Sequence, residues 1–259
     1  MSAFRQLHER GLLLLPNAWD AGSARLIESL GAKAIATTSA GVAWARGYND
    51  GNRLPVPTLI AVVEEIARVV RVPLTVDLEA GYSDEPSSVA ETAARVVAAG
   101  AVGINIEDGE GSPDLLAAKI EAVKRAAQGS GVDLFVNART DVYLAGLAPD
   151  EARVEETIAR AARYRDAGAD GLFVPCITEP AEIEAVASAV PMPLNVMWMP
   201  GLPSLFELER LGVRRLSAGA AIAAIALGTI ASSSSAFLEN GTLASGEAMP
   251  YGEIASLFA

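Results

Sequence analysis

The sequence predicts an α/β chain folded as a (β/α)8 TIM barrel, and three observations carry that prediction. Eight short runs of aliphatic and β-branched residues alternate with helical stretches along 259 residues, close to the ~250 that eight such units require. Several helical stretches stop at glycine followed by Ala or Val, as at Gly31-Ala32, Gly100-Ala101, Gly168-Ala169 and Gly212-Val213. Glycine supplies the left-handed cap there before the next strand. The first strand leads into Pro16-Asn17-Ala18-Trp19-Asp20, where a doubly wound open sheet would carry a Gly-rich phosphate loop, so that alternative is weaker.

The strands are expected at 12–16, 33–39, 73–79, 102–108, 133–140, 171–177, 193–198 and 213–219. Between them the clearest helices fall at 57–70, 87–99, 113–128, 149–167, 179–189 and 204–211, with starts marked by Pro, Ser or Asp. The Ala-rich stretch 216–231 reads as the end of the last strand and a buried helix, with Ser232 to Ser235 as its polar exit. It falls short of the ~20 residues that span a bilayer. One domain over residues 1–259 is expected, with the apolar tail 237–259 at a subunit interface.

Composition narrows the function. An apolar content of 51% supports a large core. The net charge of −12 argues against nucleic acid and anionic membranes, which recruit clustered Lys and Arg. An anionic substrate would need local positive charge or a metal. The lone Cys176 excludes an internal disulfide and reads as a small core residue, and a reducing cytoplasm fits. No basic-then-apolar leader opens the sequence, so secretion is not expected. His8, the only histidine, lies in a polar N-terminal helix and is expected in solvent, which removes Ser-His-Asp and Cys-His catalysis.

In a barrel, residues at strand C-termini face the active-site mouth. Two strands stop at carboxylates, at Asp77 with Glu79 and at Glu107 with Asp108, and a third stops at Arg139 followed by Asp141. Asp77 and Glu79 lie two apart, so on a continuous strand they share the inner face. Such carboxylates must be paired or bind metal. One reading is a Mg²⁺ or Mn²⁺ site on Asp77, Glu79 and Glu107, the other an ion-pair network around Arg139. Arg139 suits two-point contact with a substrate carboxylate and equally a structural pair with Glu107 or Asp141. Small residues at Ser39-Ala40-Gly41 let backbone N–H groups approach an anion. The polar, Gly-rich connection 40–55 carries Tyr48, Asp50 and Arg53 toward the mouth, and Asn17, Asp20, Asn195 and Ser217 complete the polar strand ends.

Together these residues resemble the isocitrate lyase/phosphoenolpyruvate mutase superfamily. The resemblance runs through Pro16-Asn17-Ala18-Trp19-Asp20, Thr38-Ser39-Ala40-Gly41, Gly47-Tyr48-Asn49-Asp50, Val76-Asp77-Leu78-Glu79-Ala80-Gly81-Tyr82, Ile104-Asn105-Ile106-Glu107-Asp108 and Ala138-Arg139-Thr140-Asp141. It implies a barrel commonly exchanging its last helix between subunits in dimers or tetramers, Mg²⁺, and 2-oxo or 2-hydroxy acid ligands. It also implies Asp77 as the metal ligand, with Glu79, Glu107 and Asp50 ligating through water. Ser39, Ala40 and Gly41 would form a carboxylate cradle, and Arg139 and Asn195 would contact substrate.

The departures matter as much. Superfamily lyases acting on isocitrate or methylisocitrate carry a Lys-Lys-Cys-Gly-His loop after the fourth strand, where this chain has Gly109-Glu110-Gly111-Ser112. The long gating loop of phosphonomutases is missing too. What remains is metal-stabilised enolate chemistry: carbon–carbon cleavage or decarboxylation of a small 2-oxo or 2-hydroxy acid such as oxaloacetate. Tyr48 and Asp50 join Arg139 as candidate catalytic groups. A carbon–phosphorus enzyme acting on phosphonopyruvate and a non-catalytic 2-oxo acid binder are the alternatives.

Overall fold

The computed structural model describes residues 3–243 and 248–259, and its strands are all parallel. They are β1 (Leu13–Leu15), β2 (Asn17–Ala18), β3 (Ile35–Thr37), β4 (Leu74–Asp77), β5 (Gly103–Glu107), β6 (Phe135–Arg139), β7 (Gly171–Val174), β8 (Leu194–Met197) and β9 (Val213–Ser217). The order β1-β9-β8-β7-β6-β5-β4-β3-β2 begins and ends on consecutive pieces of chain, so the sheet closes into a barrel. The first expected strand is therefore two. Leu13–Leu15 pairs with β9 and Asn17–Ala18 with β3. Pro16 stands at the break because it has no N–H to give either ladder.

The helices are α1 (Ala3–Gln6), α2 (Ala21–Ser29), α3 (Ser39–Ala45), α4 (Val56–Val69), α5 (Pro86–Ala98), α6 (Pro113–Ser130), α7 (Arg153–Asp166), α8 (Pro180–Ala189), α9 (Leu205–Arg210), α10 (Ala221–Asn240) and α11 (Tyr251–Ser256). Proline opens α5, α6 and α8, where its missing N–H costs nothing. Asp20 caps α2 in a reciprocal pair with Ser23. Outward-pointing strand residues such as Ile104, Ile106, Val136, Leu172 and Val174 are fully buried under these helices, each contributing roughly 1.5–3 kcal/mol.

A second apolar cluster fills the other end of the barrel: Phe4, Leu13, Leu15, Ala34, Ala36 and Phe135. Gly103 makes room for the plug, since a Cβ there would sit 2.7 Å from the Phe4 ring. His8 is part of it rather than in solvent. Its ring stacks on Phe135 at 4.3 Å between centroids, and its Nδ1 lies 3.0 Å from the Phe4 carbonyl. The aromatic face of Phe135 offers more than water does to a neutral imidazole. Burial and the nearby Arg215 charge push its pKa down to about 4.

The last long helix also differs from expectation. Of α10 only Ala223 is buried. Ser232 to Ser235 lie within the helix rather than ending it, because serine and alanine both tolerate helical backbone. Ile225, Leu227, Ile230, Phe237 and Leu238 project from it exposed. At 20 residues with mean hydropathy 1.7, it is long and apolar enough to cross a membrane by those two measures, contrary to the sequence estimate. Of the expected interface tail 237–259, residues 244–247 lie outside the described residues.

Candidate active site

The strand C-termini surround a cavity of about 180 Å³ lined by Asn17, Ser39, Ala40, Asp50, Asp77, Asn105, Arg139, Phe173 and Ser217, among others. That is small beside the ~300–1,000 Å³ of pockets for drug-sized ligands, so a compact molecule fits. A larger hollow of about 630 Å³ on the outer face is lined almost wholly by aliphatic residues and offers no chemistry.

Asp77 ends β4 and is held in place by its neighbours. Its Oδ2 accepts from the Ser39 N–H at 3.2 Å, at the start of α3, and its own N–H donates to Thr37 Oγ1. The strand stops there. Glu79 lies beyond it with φ +50, so the alternation that would place both acids on one strand face does not apply. Glu79 instead points behind the cavity, where Tyr82 Oη donates to it at 2.6 Å and the Asn52 N–H also donates. Burial raises its pKa. The Tyr82 and Asn52 bonds oppose that shift, and Asp50 and Asp77 add to it. Glu79 thereby holds down the connection that carries Asp50 to the cavity rim.

Glu107 ends β5 opposite Arg139 in the β5–β6 register, and the two form an ion pair at 2.7 Å. Arg139 also donates from Nε and Nη2 to Asp141 at 2.6 and 2.9 Å. Both structural partners foreseen for it are thus real, yet the guanidinium still lines the cavity, 5.8 Å from the Phe173 ring. Burial pushes the Glu107 carboxyl up to about 8; Arg139 pulls it back, and Asp77, Asp141 and Glu79 add to the rise. The adjacent Asp108 faces outward instead. Its carboxylate accepts from Thr140, Arg160, Tyr164 and the Asp141 N–H, so it braces the strand ends and is no part of the mouth.

Of the residues foreseen for the site, Ser39, Ala40, Asp50, Asp77 and Arg139 come together around the cavity, with Glu107 and Glu79 behind it. Three stand apart. Tyr48 is exposed on its loop and does not line the cavity. Gly41 packs instead in a hollow against Trp19, Trp44 and Ala223, where a Cβ would meet Thr38 Cγ2 at 2.7 Å. Asn195 is fully buried in the barrel interior, donating to the Val196 and Arg215 carbonyls and to Ser217 Oγ. Asn105, not among the residues foreseen, lines the cavity one strand from Asp77 in register. A polar residue two before Glu107 in an otherwise aliphatic run was the available signal.

Among the described residues, no three His, Cys, Asp or Glu side chains converge as a metal cage. The donor set still suits one hard cation. Asp77 and Asp50 line the cavity and Glu79 and Glu107 stand behind it, four carboxylates against Arg139 at the mouth and the buried Arg215 beneath it, and burial raises the pKa of two of them. Mg²⁺ takes one or two carboxylates and fills its other positions with water and ligand oxygens, so it needs no cage.

The connection from β5 to α6 is five residues, 108–112, closed by a Gly111 N–H to Asp108 carbonyl bond at 2.8 Å and by the Ser112 cap of α6. None of its residues lines the cavity.

Residues 4–238 match the family model described as phosphoenolpyruvate phosphomutase. A crystal structure of a provisionally assigned phosphonomutase from Burkholderia cenocepacia J2315 is 46% identical, with 88% of this chain and 96% of that chain covered and a TM-score of 0.84. The oxaloacetate decarboxylase of Paraburkholderia xenovorans is 31% identical over 84% of this chain and 74% of its own. The 2-methylisocitrate lyase of Escherichia coli is 32% identical over 74% and 67%. The barrel, the acid-and-arginine mouth and these likenesses agree: the chain belongs to the phosphoenolpyruvate phosphomutase family, within the isocitrate lyase/phosphoenolpyruvate mutase superfamily of lyases and mutases.

Proposed function

We propose that the protein is a Mg²⁺- or Mn²⁺-dependent carbon–carbon lyase or decarboxylase acting on a small 2-oxo acid, with oxaloacetate as the model substrate. One observation carries the reading: an acid-rich mouth around Arg139 that is left open by a five-residue connection with no Cys, Lys or His. Asp77 would hold the metal directly, with Glu79, Glu107 and Asp50 through water. When bound, the metal supplies the positive charge that stabilises an enolate. Arg139 orients a substrate carboxylate through the N–H groups that Glu107 and Asp141 leave free. Phe173 and Met197 give the cavity an apolar wall. Loss of CO2 from C3 needs no base, and so no group in the position of the exposed Tyr48. Cleavage of a 2-hydroxy acid would need one to take the hydroxyl proton.

The test is the consumption of oxaloacetate against the rate with free Mg²⁺ alone. Turnover well above that rate, inhibited competitively by oxalate, is expected. Efficient release of glyoxylate from isocitrate, or of pyruvate from methylisocitrate, would overturn the proposal. The likeness to the Burkholderia phosphonomutase favours a second reading. Phosphonopyruvate turnover without oxaloacetate turnover would select it.

The assembly belongs to the same proposal. The exposed apolar side of α10, inside the span matched by the family model, reads as the seat of another copy in a dimer or tetramer rather than a membrane span. Light scattering at micromolar concentration should give a multiple of 26.8 kDa.

A further inference from the structure

Beneath the mouth lies a chain of buried amides. Asn105 on β5 faces Asn137 on β6 in register, and Asn137 in turn faces Gly171. A Cβ at Gly171 would sit 2.7 Å from Asn137 Oδ1, so the glycine makes room for that amide. Asn137 Nδ2 donates to Asn105 Oδ1 at 3.0 Å and to Asn195 Oδ1 at 3.1 Å. Arg215 Nη2 donates to the same Asn105 Oδ1 at 3.1 Å. Two donors on one oxygen fix which way the Asn105 amide points. Its Nδ2 has no protein partner among the described residues, and Asn105 lines the cavity. Arg215 is 1% exposed, and its Nε and Nη1 find no acceptor among the described residues. Asp77, at the mouth, is the acid whose charge most supports it.

We infer that Asn105 is a substrate-binding residue, its Nδ2 donating to an oxygen of the bound 2-oxo acid, and that Arg215 is the positioning residue that holds the amide in that orientation. The inference rests on the 2-oxo acid reading and deepens it, adding a neutral donor on the strand next to the one that carries the Arg139 charge. An amide suits a keto or enolate oxygen that must be met without a second full positive charge beside the metal. Arg215 keeps its own charge out of contact with the ligand, while its buried field favours an anion above it.

Calorimetric titration of oxalate into the Mg²⁺-loaded protein tests this. Asn105→Asp keeps the Oδ1 acceptor for Asn137 and Arg215 while replacing the cavity-facing donor. Asn105→Ala removes the donor without adding charge. Both should bind oxalate at least about tenfold more weakly, the loss of one hydrogen bond to a charged ligand, with Asn105→Asp still melting cooperatively. Arg215→Met should also weaken oxalate, and Arg215→Lys should restore much of the loss, which a purely structural arginine would not do. Wild-type affinity in Asn105→Ala, even with Asn105→Asp impaired, would overturn the inference while leaving the 2-oxo acid reading intact. Wild-type protein that takes up no oxalate would overturn both.

Discussion

The two ends of the barrel bury titratable groups in opposite surroundings. At the closed end His8 lies between aromatic rings, stacked on Phe135 and edge-on to Phe4 at 4.9 Å, with no carboxylate bonded to it among the described residues. At the open end Glu107 is buried nearly as deeply but is bonded to Arg139 and surrounded by Asp77, Asp141 and Glu79. Burial pushes both toward their neutral forms, the histidine down to about 4 and the carboxyl up to about 8. The closed end can accept neutrality because it has only to pack. The mouth carries a surplus of acid that packing alone would not select, and the proposed cation would resolve it.

The largest effect expected is at the mouth. Asp77→Ala should abolish Mg²⁺ binding by calorimetry while the circular dichroism melt stays cooperative, since the side chain is at a strand end rather than in a packed layer. Unchanged metal affinity would erase the distinction between the two ends. The converse substitution, Phe135→Ala, should cost about 3–5 kcal/mol in urea denaturation and leave metal affinity per folded molecule unaltered. Arg139→Ala should weaken oxalate by roughly 2–5 kcal/mol, because truncation also strands Glu107 and Asp141. Affinity within twofold of wild type would make Arg139 a structural partner only.

The smallest effect sharpens the comparison through pH. The folded-state pKa of His8 near 4 lies below the ~6.5 of an unfolded histidine. Between those values the unfolded chain takes up a proton that the folded one does not. This contribution is whole above pH 6.5 and is lost as the pH falls toward 4, about 3 kcal/mol in all. His8→Phe should flatten that part of the stability–pH curve in urea titrations, and an unchanged slope would show that the ring is not held neutral.

Much of this architecture was legible in the sequence, because a parallel strand covered on both faces reads as a continuous aliphatic run. Val102-Gly103-Ile104-Asn105-Ile106 is such a run, and β5 lies within one residue of it. Asp77, Asp50, Ser39 and Arg139 were legible as strand-end and loop polarity. Glu79 was misplaced because a left-handed residue after a strand leaves no mark in a period of two. His8 was misread because its partners, Phe4 and Phe135, are four and 127 positions away and only the fold joins them. For α10, alanine and serine suit a buried face and an exposed face equally. The Asn105–Asn137–Asn195–Arg215 network was invisible pair by pair, since its members come from four strands.

Asn17 gives the broken first strand a further meaning. Its side chain donates to the Thr37 carbonyl at 2.7 Å and accepts from the Gly219 N–H at 2.9 Å. One amide therefore bridges the strand on one side of the break and the turn entering α10 on the other. At the break the hoop of strands is joined by this side chain beside a backbone rung, the Ala218 N–H to Leu15 carbonyl bond at 3.1 Å. Asn17→Gln, one methylene longer, would act as a spacer in that hoop, shifting Gly219 and Ser217 on the cavity wall while all eight barrel staves kept their pairing.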